Sequence, residues 1–210
     1  MIRALIADDH AVVREGIRRI LEQAKDISVA GEAADGRELL ALAAKGRWDI
    51  LIMDLSMPGL SGLEDLQEVR RLRANLPILI LSMYAEDQYA VRALAAGASG
   101  YINKSSPPDE LVKAIRTIVS GRRYISPEVA ECLASHVDES SAGEAHGRLS
   151  NREYQVFCMI ASGKNTNAIA SELCLSAKTI STFRRRVLDK LGLRNNVEIA
   201  RYAVRYGLLD

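Results

Sequence analysis

The 210-residue sequence predicts a doubly wound α/β domain with a five-stranded parallel sheet, followed by an all-α domain of four short helices. Three observations carry this reading. Over roughly the first 120 residues, short apolar runs alternate with segments of helical periodicity. Beyond residue 148 the periodicity is helical, in four short stretches. The charge also changes sign: residues 1–145 hold 17 Lys+Arg against 22 Asp+Glu, net −5, and residues 146–210 hold 11 against 5, net +6. An acidic front and a basic back suggest two domains with different partners, although two solvated surfaces of unequal composition would give the same counts.

The elements follow in order. Ile2 to Ala7 is apolar and bounded by charge, as in a buried strand. His10 to Ala24 places Val13, Ile17, Ile20 and Leu21 on one helix face. Ile27 to Ala33 is a second strand, and Gly36 to Lys45 a second helix carrying Leu39, Leu40 and Leu42. The third strand, Ile50 to Met53, stops at Asp54. Leu63 to Leu72 is helical. A fourth strand, Ile78 to Leu81, follows Pro77. Glu86 to Ala96 is helical and ends at Gly97. Ser99 to Ile102 is a short fifth strand, and Leu111 to Val119 a fifth helix ending at Gly121. Strands and helices in strict alternation imply a parallel sheet covered on both faces.

Composition narrows the class. Apolar residues at 48% and charged residues at 26% are ordinary for a soluble globular protein and exclude a wholly disordered or collagen-like chain. No apolar run approaches the ~18 residues of a membrane span. The N-terminal apolar stretch meets Asp8, Asp9 and His10 at once, unlike a signal peptide. Cys132, Cys158 and Cys174 lack metal-site spacing, and their odd number leaves one unpaired, so a reducing cytoplasm is expected.

In open parallel sheets, ligands bind beyond the carboxyl ends of the strands, where strand order reverses. Strand one ends in Asp8 and Asp9, strand three in Asp54 and strand four in Ser82. Strand five is followed by Lys104. Clustered carboxylates repel unless a cation joins them, and oxygen ligands of this kind suit Mg²⁺. An aspartate beside such a cation can attack phosphorus and form an aspartyl-phosphate. The Lys104 ammonium would offset the charge of an incoming phosphate, and Ser82 could donate to its oxygens. Strand-end polar residues that merely meet solvent are the plainer alternative.

At these residues the chain resembles the receiver domain of bacterial response regulators, a flavodoxin-like fold. The resemblance covers residues 1–120. It rests on Asp8-Asp9, Asp54 followed by Leu-Ser-Met-Pro-Gly-Leu-Ser-Gly, Ser82 and Lys104. It implies that Asp54 is the phosphoacceptor and that Lys104 and Ser82 contact the phosphoryl group. Asp9 is then the main acidic Mg²⁺ ligand, with Asp8, Asp54 and the backbone carbonyl of Ser56 completing the set. Ser82 would be the switch hydroxyl and Tyr101 the aromatic that reports the switch; a lone strand tyrosine is as readily a packing residue.

Residues 121–147 read as a linker with a short helix. Ser126 is an N-cap candidate with Pro127 at the first helical position, opening a helix from Glu128 to Val137. Asp138 to Gly147 is polar and aperiodic. The domain from 148 to 210 opens on Ser150 with Glu153 three residues on, a capping box. That first helix carries Val156, Ile160 and Ala161. Asn165 to Leu173 is the second, Ser176 caps a third that runs to Lys190, Gly192 closes it, and Val197 to Tyr206 is the fourth.

The second and third helices, joined by a tight turn, have helix-turn-helix proportions. In the third, Ile180, Phe183, Val187 and Leu191 share a face. Lys178, Thr179, Ser181, Thr182, Arg184, Arg185 and Arg186 take the rest. Such a helix suits the major groove, its cations meeting phosphates and its nearest side chains reaching base edges. An ordinary solvated basic face would look the same. From Leu149 to Leu209 the chain resembles LuxR-type helix-turn-helix domains (the NarL/FixJ subfamily, given the receiver). This rests on Leu149-Ser150-Asn151-Arg152-Glu153, Ile169-Ala170, Ser176-Ala-Lys-Thr-Ile180 and Leu188-Asp-Lys-Leu-Gly-Leu193. The resemblance implies base contacts from Ser181, Thr182 and Arg185, and backbone contacts from Lys178, Thr179 and Arg184. Ser181 stands where relatives often carry Lys, and Phe183 where His or Tyr is common. The last helix would be a dimerisation element, with Val197, Ala200, Arg201 and Val204.

The sequence thus reads as a phosphorylation-controlled DNA-binding transcription regulator. Its expected partners are a sensor histidine kinase, promoter DNA and a second copy of the chain, with no membrane. It is not an enzyme beyond Mg²⁺-dependent self-phosphorylation and dephosphorylation at Asp54. A regulator of the same architecture working without phosphorylation is the alternative. An aspartyl-phosphate phosphatase commonly carries a second aspartate two residues after the nucleophile, where this chain has Ser56.

Overall fold

The computed structural model describes the chain except residues 56, 58–62, 83–87, 128, 131–144, 174 and 209–210; of 63–65, 88–89 and 151 it describes the backbone. It divides into two compact units, Met1–Leu133 and Ala134–Asp210.

The first unit alternates strand and helix: β1 (Ile2–Ala7), α1 (Ala11–Gln23), β2 (Ile27–Ala33), α2 (Gly36–Lys45), β3 (Ile50–Met53), α3 (Leu63–Leu72), β4 (Ile78–Ser82), α4 (Gln88–Ala95), β5 (Gly100–Asn103) and α5 (Pro108–Val119). All strands are parallel, in the order β2-β1-β3-β4-β5. This is the doubly wound sheet expected from the sequence. β1, β3 and β4 are almost continuously apolar because both faces are covered. On one face Ile17 and Leu21 of α1, and Leu111, Ile115 and Ile118 of α5, pack against Ala4, Ile6, Ile50, Ile52, Leu79 and Ile102. Side chains alternate along a strand, so Leu5, Leu51, Met53 and Ile80 serve the other face. Leu39 and Ala43 of α2, Leu66 and Val69 of α3, and Ala90, Ala93 and Leu94 of α4 are buried helix residues available to it.

Several boundaries in this unit shift by a single residue, and two differ from the sequence reading by about a turn or more. α5 starts at Pro108, not Leu111: Pro107 is the N-cap, and Asp109 and Glu110 fill a polar first turn. Proline fits there because first-turn N–H groups have no helical partner, and the acids favour the positive end of the helix dipole. Apolar periodicity begins one turn later. The segment expected to open a linker at Gly121 also stays with the sheet. The Tyr124 N–H donates to Ser99 O at 2.9 Å, and Tyr124 forms a parallel bridge with Gly100. Its buried ring joins the core, and its hydroxyl donates to Glu110 Oε1 at 2.8 Å. Gly100 makes room for this: a Cβ there would lie 2.9 Å from Ile118 Cδ1 and 3.1 Å from Tyr124 O. Ser126 caps the turn beginning at Pro127, its hydroxyl accepting from Val129 N–H at 3.3 Å. Most of the expected helix to Val137 lies outside the described residues.

The second unit opens with a 3-10 turn, Ala145–Arg148, followed by α6 (Asn151–Ala161), α7 (Thr166–Glu172), α8 (Ala177–Leu191) and α9 (Asn196–Arg205). Each helix carries a polar N-cap: Ser150, Asn165, Ser176 and Asn195 accept from the N–H three residues on. Ser150 and Glu153 form the reciprocal capping box. Gly192 ends α8 at φ 68°, a left-handed position where other residues are strained. Tyr154, Phe157, Ile169, Ile180, Val187, Leu188, Ile199 and Ala203 build the core. His146, within the stretch expected to be a linker, is buried in it. Its Nδ1 lies 3.2 Å from the Tyr202 hydroxyl, and its ring meets Tyr202 and Tyr206 edge-on. A four-residue turn has no periodicity to betray such burial. No described helix is long and apolar enough to cross a membrane.

Candidate functional site

Strand order reverses between β1 and β3, and the register brings Ala7 opposite Met53. The residues that follow, Asp8 and Asp54, therefore emerge at one edge. The Asp54 N–H donates to Ala7 O at 2.8 Å and the Asp8 N–H to Ala33 O at 3.1 Å. At the other side of β3, the Lys104 N–H donates to Ser82 O at 2.7 Å, tying the residue after β5 to the end of β4. Parallel pairing alone thus assembles residues nearly a hundred positions apart.

The side chains form a charged pocket. Asp8 and Asp54 are 1% and 3% exposed, and Ser82 is buried at the end of β4. The Lys104 ammonium donates to Asp54 Oδ2 at 2.8 Å and lies 2.7 Å from Asp8 Oδ2. Burial pulls the Lys104 amine down. Its Coulombic attraction to Asp54, its hydrogen bond to Asp54 and its ion pair with Asp8 outweigh that, and hold it above the ordinary lysine value. It is therefore a fixed cation at neutral pH. Asp9 is about a quarter exposed, and its Oδ1 lies 2.9 Å from His10 Nδ1. Asp8 Oδ1 accepts from the His10 backbone N–H at 2.8 Å. Asp8 Oδ2 and Asp9 Oδ1 are buried and accept no hydrogen bond of good geometry, meeting a nitrogen only at ion-pair distance.

Three carboxylates against one ammonium leave a charge deficit that a dication would match. Ligand atoms of Asp8, Asp9, His10 and Asp54 all lie within 4.8 Å of one another. Carboxylate oxygens at a rim reached by solvent are the donors Mg²⁺ prefers. The donor set therefore fits Mg²⁺. Ser56, expected to add a carbonyl, lies outside the described residues. Tyr101 is 1% exposed and pairs with Ile80 in the β4–β5 register. It sits inside the sheet core, three residues before Lys104. Sequence reasoning did not include His10 in the cluster; its position directly after the acidic pair was the available signal.

On the second unit, α8 presents its polar residues outward. Lys178, Ser181, Thr182, Arg185 and Arg186 are exposed, while Thr179 and Arg184 are half-buried. The Ser181 hydroxyl donates to Ala177 O at 2.8 Å and the Thr182 hydroxyl to Lys178 O at 3.0 Å. Their protons are thus turned back onto the helix, leaving oxygen lone pairs as acceptors outward. The Thr179 hydroxyl is engaged with Ser176 Oγ at 2.7 Å in the cap. Arg184 donates through Nε to Asn196 Oδ1 at 2.5 Å, a partner on α9 that the sequence did not announce. Arg185 has Asp189 at a loose 3.9 Å. Lys190, exposed along its stem, reaches back to the start of α6: it donates to Glu153 Oε2 at 2.6 Å and to Arg148 O at 3.2 Å. Burial pushes the Glu153 carboxyl up, but hydrogen bonds from Lys190 and the Ser150 N–H prevail and hold it below the usual value. Val197, Ala200, Arg201 and Val204 fall at i, i+3, i+4 and i+7 of α9. Val197 and Val204 are 67% and 70% exposed.

Comparison with known proteins gives two family matches. Residues 4–116 match the response regulator receiver domain, and residues 147–203 match the luxR family of bacterial regulatory proteins. Response regulator UvrY of Escherichia coli K12 is 39% identical over 211 residues, covering 100% of this chain and 97% of the relative. Response regulator GacA of Pseudomonas aeruginosa PAO1 is 38% identical, with 100% and 99% covered. Among solved structures, RcsB from Salmonella enterica serovar Typhimurium, bound to promoter rprA in the presence of phosphomimetic BeF3-, matches with a TM-score of 0.66. It is 29% identical, with 96% of this chain and 97% of that chain covered.

Proposed function

Because the chain belongs to the response regulators with a LuxR-type DNA-binding domain, we propose that it is a transcription regulator switched by phosphorylation of Asp54. The observation that carries this reading is Lys104 shared between the buried carboxylates of Asp8 and Asp54. A lysine held charged in this way meets incoming phosphoryl oxygens without reorganising. An Asp54 carboxylate oxygen attacks the phosphorus of a sensor kinase's phosphohistidine. The phosphorus–oxygen bond forms as the phosphorus–nitrogen bond breaks, and the released imidazole nitrogen takes a proton from solvent. Mg²⁺ held by Asp9, Asp8, Asp54 and the Ser56 carbonyl would neutralise the charge gathering on the phosphoryl group. Ser82 then donates its hydroxyl proton to the new phosphate, and Tyr101 follows that movement within β5. The new state biases the chain toward a dimer through Val197, Ala200, Arg201 and Val204.

The dimer sets two α8 helices into successive major grooves. Lys178, Thr179 and Arg184 meet the backbone, and Ser181, Thr182 and Arg185 reach base edges. RcsB, solved on a promoter with a phosphomimetic present, supports this by kinship. The test is intact mass after incubation with acetyl phosphate, with and without Mg²⁺, for wild type and Asp54→Asn. One phosphoryl adduct that needs both Mg²⁺ and Asp54 is expected, with tighter promoter binding by that species. No adduct, together with no change in oligomeric state on adding beryllofluoride, would overturn the phosphorylation switch and favour a regulator that works without it.

A further inference from the structure

We propose that His10 turns the acidic pocket into a mixed nitrogen–oxygen site that also takes imidazole-binding transition dications, of the Mn²⁺ and Ni²⁺ class. This rests on the reading that the pocket holds a divalent ion. It goes further by assigning the residue that widens the choice of ion.

Nothing in the architecture requires an imidazole at this position. His10 is the N-cap residue of α1, yet its side chain makes no capping hydrogen bond; the backbone carbonyl does that work for Val13 and Arg14. The side chain is 65% exposed and belongs to no apolar cluster. Its backbone N–H is what holds Asp8 Oδ1, a bond any residue but proline supplies. The ring nevertheless turns toward the pocket: Nδ1 lies 2.9 Å from Asp9 Oδ1 and 3.4 Å from Asp8 Oδ1. With Asp54 it completes a group of four potential ligand atoms, all within 4.8 Å of one another. Asp9 Oδ1, buried and without a well-formed hydrogen bond, faces the same space.

The chemistry follows from donor type. Mg²⁺ favours oxygen and gains little from a nitrogen, whereas affinity for imidazole rises through Mn²⁺ to Ni²⁺. Coordination uses the Nδ1 lone pair of the neutral ring, with the proton on Nε2 at the solvent side. One added nitrogen therefore shifts selectivity while leaving the Mg²⁺ site intact.

Two measurements on the full chain decide this. Pulsed EPR of the Mn²⁺-loaded wild type is expected to show nitrogen modulation from a directly bound imidazole, lost when Mg²⁺ displaces the Mn²⁺. Calorimetric titration is expected to show Ni²⁺ affinity falling about tenfold in His10→Gln, with Mg²⁺ affinity unchanged. Mn²⁺ that Mg²⁺ displaces and Asp9→Asn abolishes, but that shows no nitrogen modulation, would overturn the proposal and leave the Mg²⁺ reading standing. Mn²⁺ or Ni²⁺ that binds Asp9→Asn as tightly as wild type and ignores Mg²⁺ would place the ion elsewhere and overturn both.

Discussion

The sheet-edge pocket and the outer face of α8 are built on opposite plans. The pocket gathers Asp8, Asp54 and Lys104 from three strand ends and keeps them largely from solvent, so each charge depends on its neighbours. The α8 face takes its residues from one continuous stretch, 178–186, and leaves most of them in water. Coulomb interactions are strong in the first setting and screened in the second. Single changes in the pocket should therefore act as large, coupled effects. Single changes on α8 should act as small, nearly independent ones.

The largest expected effect tests the coupling. Lys104→Met leaves two buried carboxylates without their shared ammonium and should destabilise the metal-free protein by about 3 kcal/mol. Added Mg²⁺ should recover part of it. Urea unfolding with and without Mg²⁺ measures both; an unchanged midpoint would remove the contrast between the two regions. Because the Lys104 amine is held above its ordinary value, its contribution is fully present below that value. It is lost as pH rises through the raised one, beyond about pH 10.4.

Next is a steric test in the same unit. Gly100→Ala sets a methyl 2.9 Å from Ile118 Cδ1 and 3.1 Å from Tyr124 O, and should cost about 2 kcal/mol. Increased amide exchange at Tyr124 should accompany the loss.

In the second unit, Glu153→Gln keeps the shape of the capping box but weakens its bond to Lys190, costing about 1 kcal/mol. Glu153 titrates below the usual glutamate value. Its contribution is present above about pH 4.3 and is lost as pH falls through the depressed value, so the variant should flatten the acid limb of that unit's unfolding curve. Acid denaturation followed through Tyr202 would read it.

The smallest effect belongs to the exposed face. Arg185→Ala should leave stability unchanged and relax sequence preference at one base pair by about 1 kcal/mol, with the slope of log affinity against log salt little altered. A slope reduced by about 0.9 with unaltered sequence preference would instead assign Arg185 to a phosphate.

The same contrast explains what was legible in advance. Asp8 and Asp54 stand where apolar runs stop, and in a parallel sheet such stops share one edge, so their convergence follows from chain order. The polar face of α8 was readable from one helical period. Hidden were features with no period to read. These are the polar first turn of α5, Tyr124 pairing beyond β5, and His146 buried by a four-residue turn. The Asn196–Arg184 bond was equally silent, since it depends on how α9 crosses α8.

Tyr124 and His146 also bear on how such chains can be cut and spliced. Each is an aromatic anchor at one end of the connecting stretch, the first closing over Gly100, the second resting on Tyr202. A crossover at residue 120 strips the first unit of its plug, and one at residue 148 leaves a ring-sized hole in the second. Junctions placed after Ala130 and before Ala145 carry both anchors, and the buried Val129, with their own modules. Recombination that respects those two points can exchange inputs and outputs without a repair in either core.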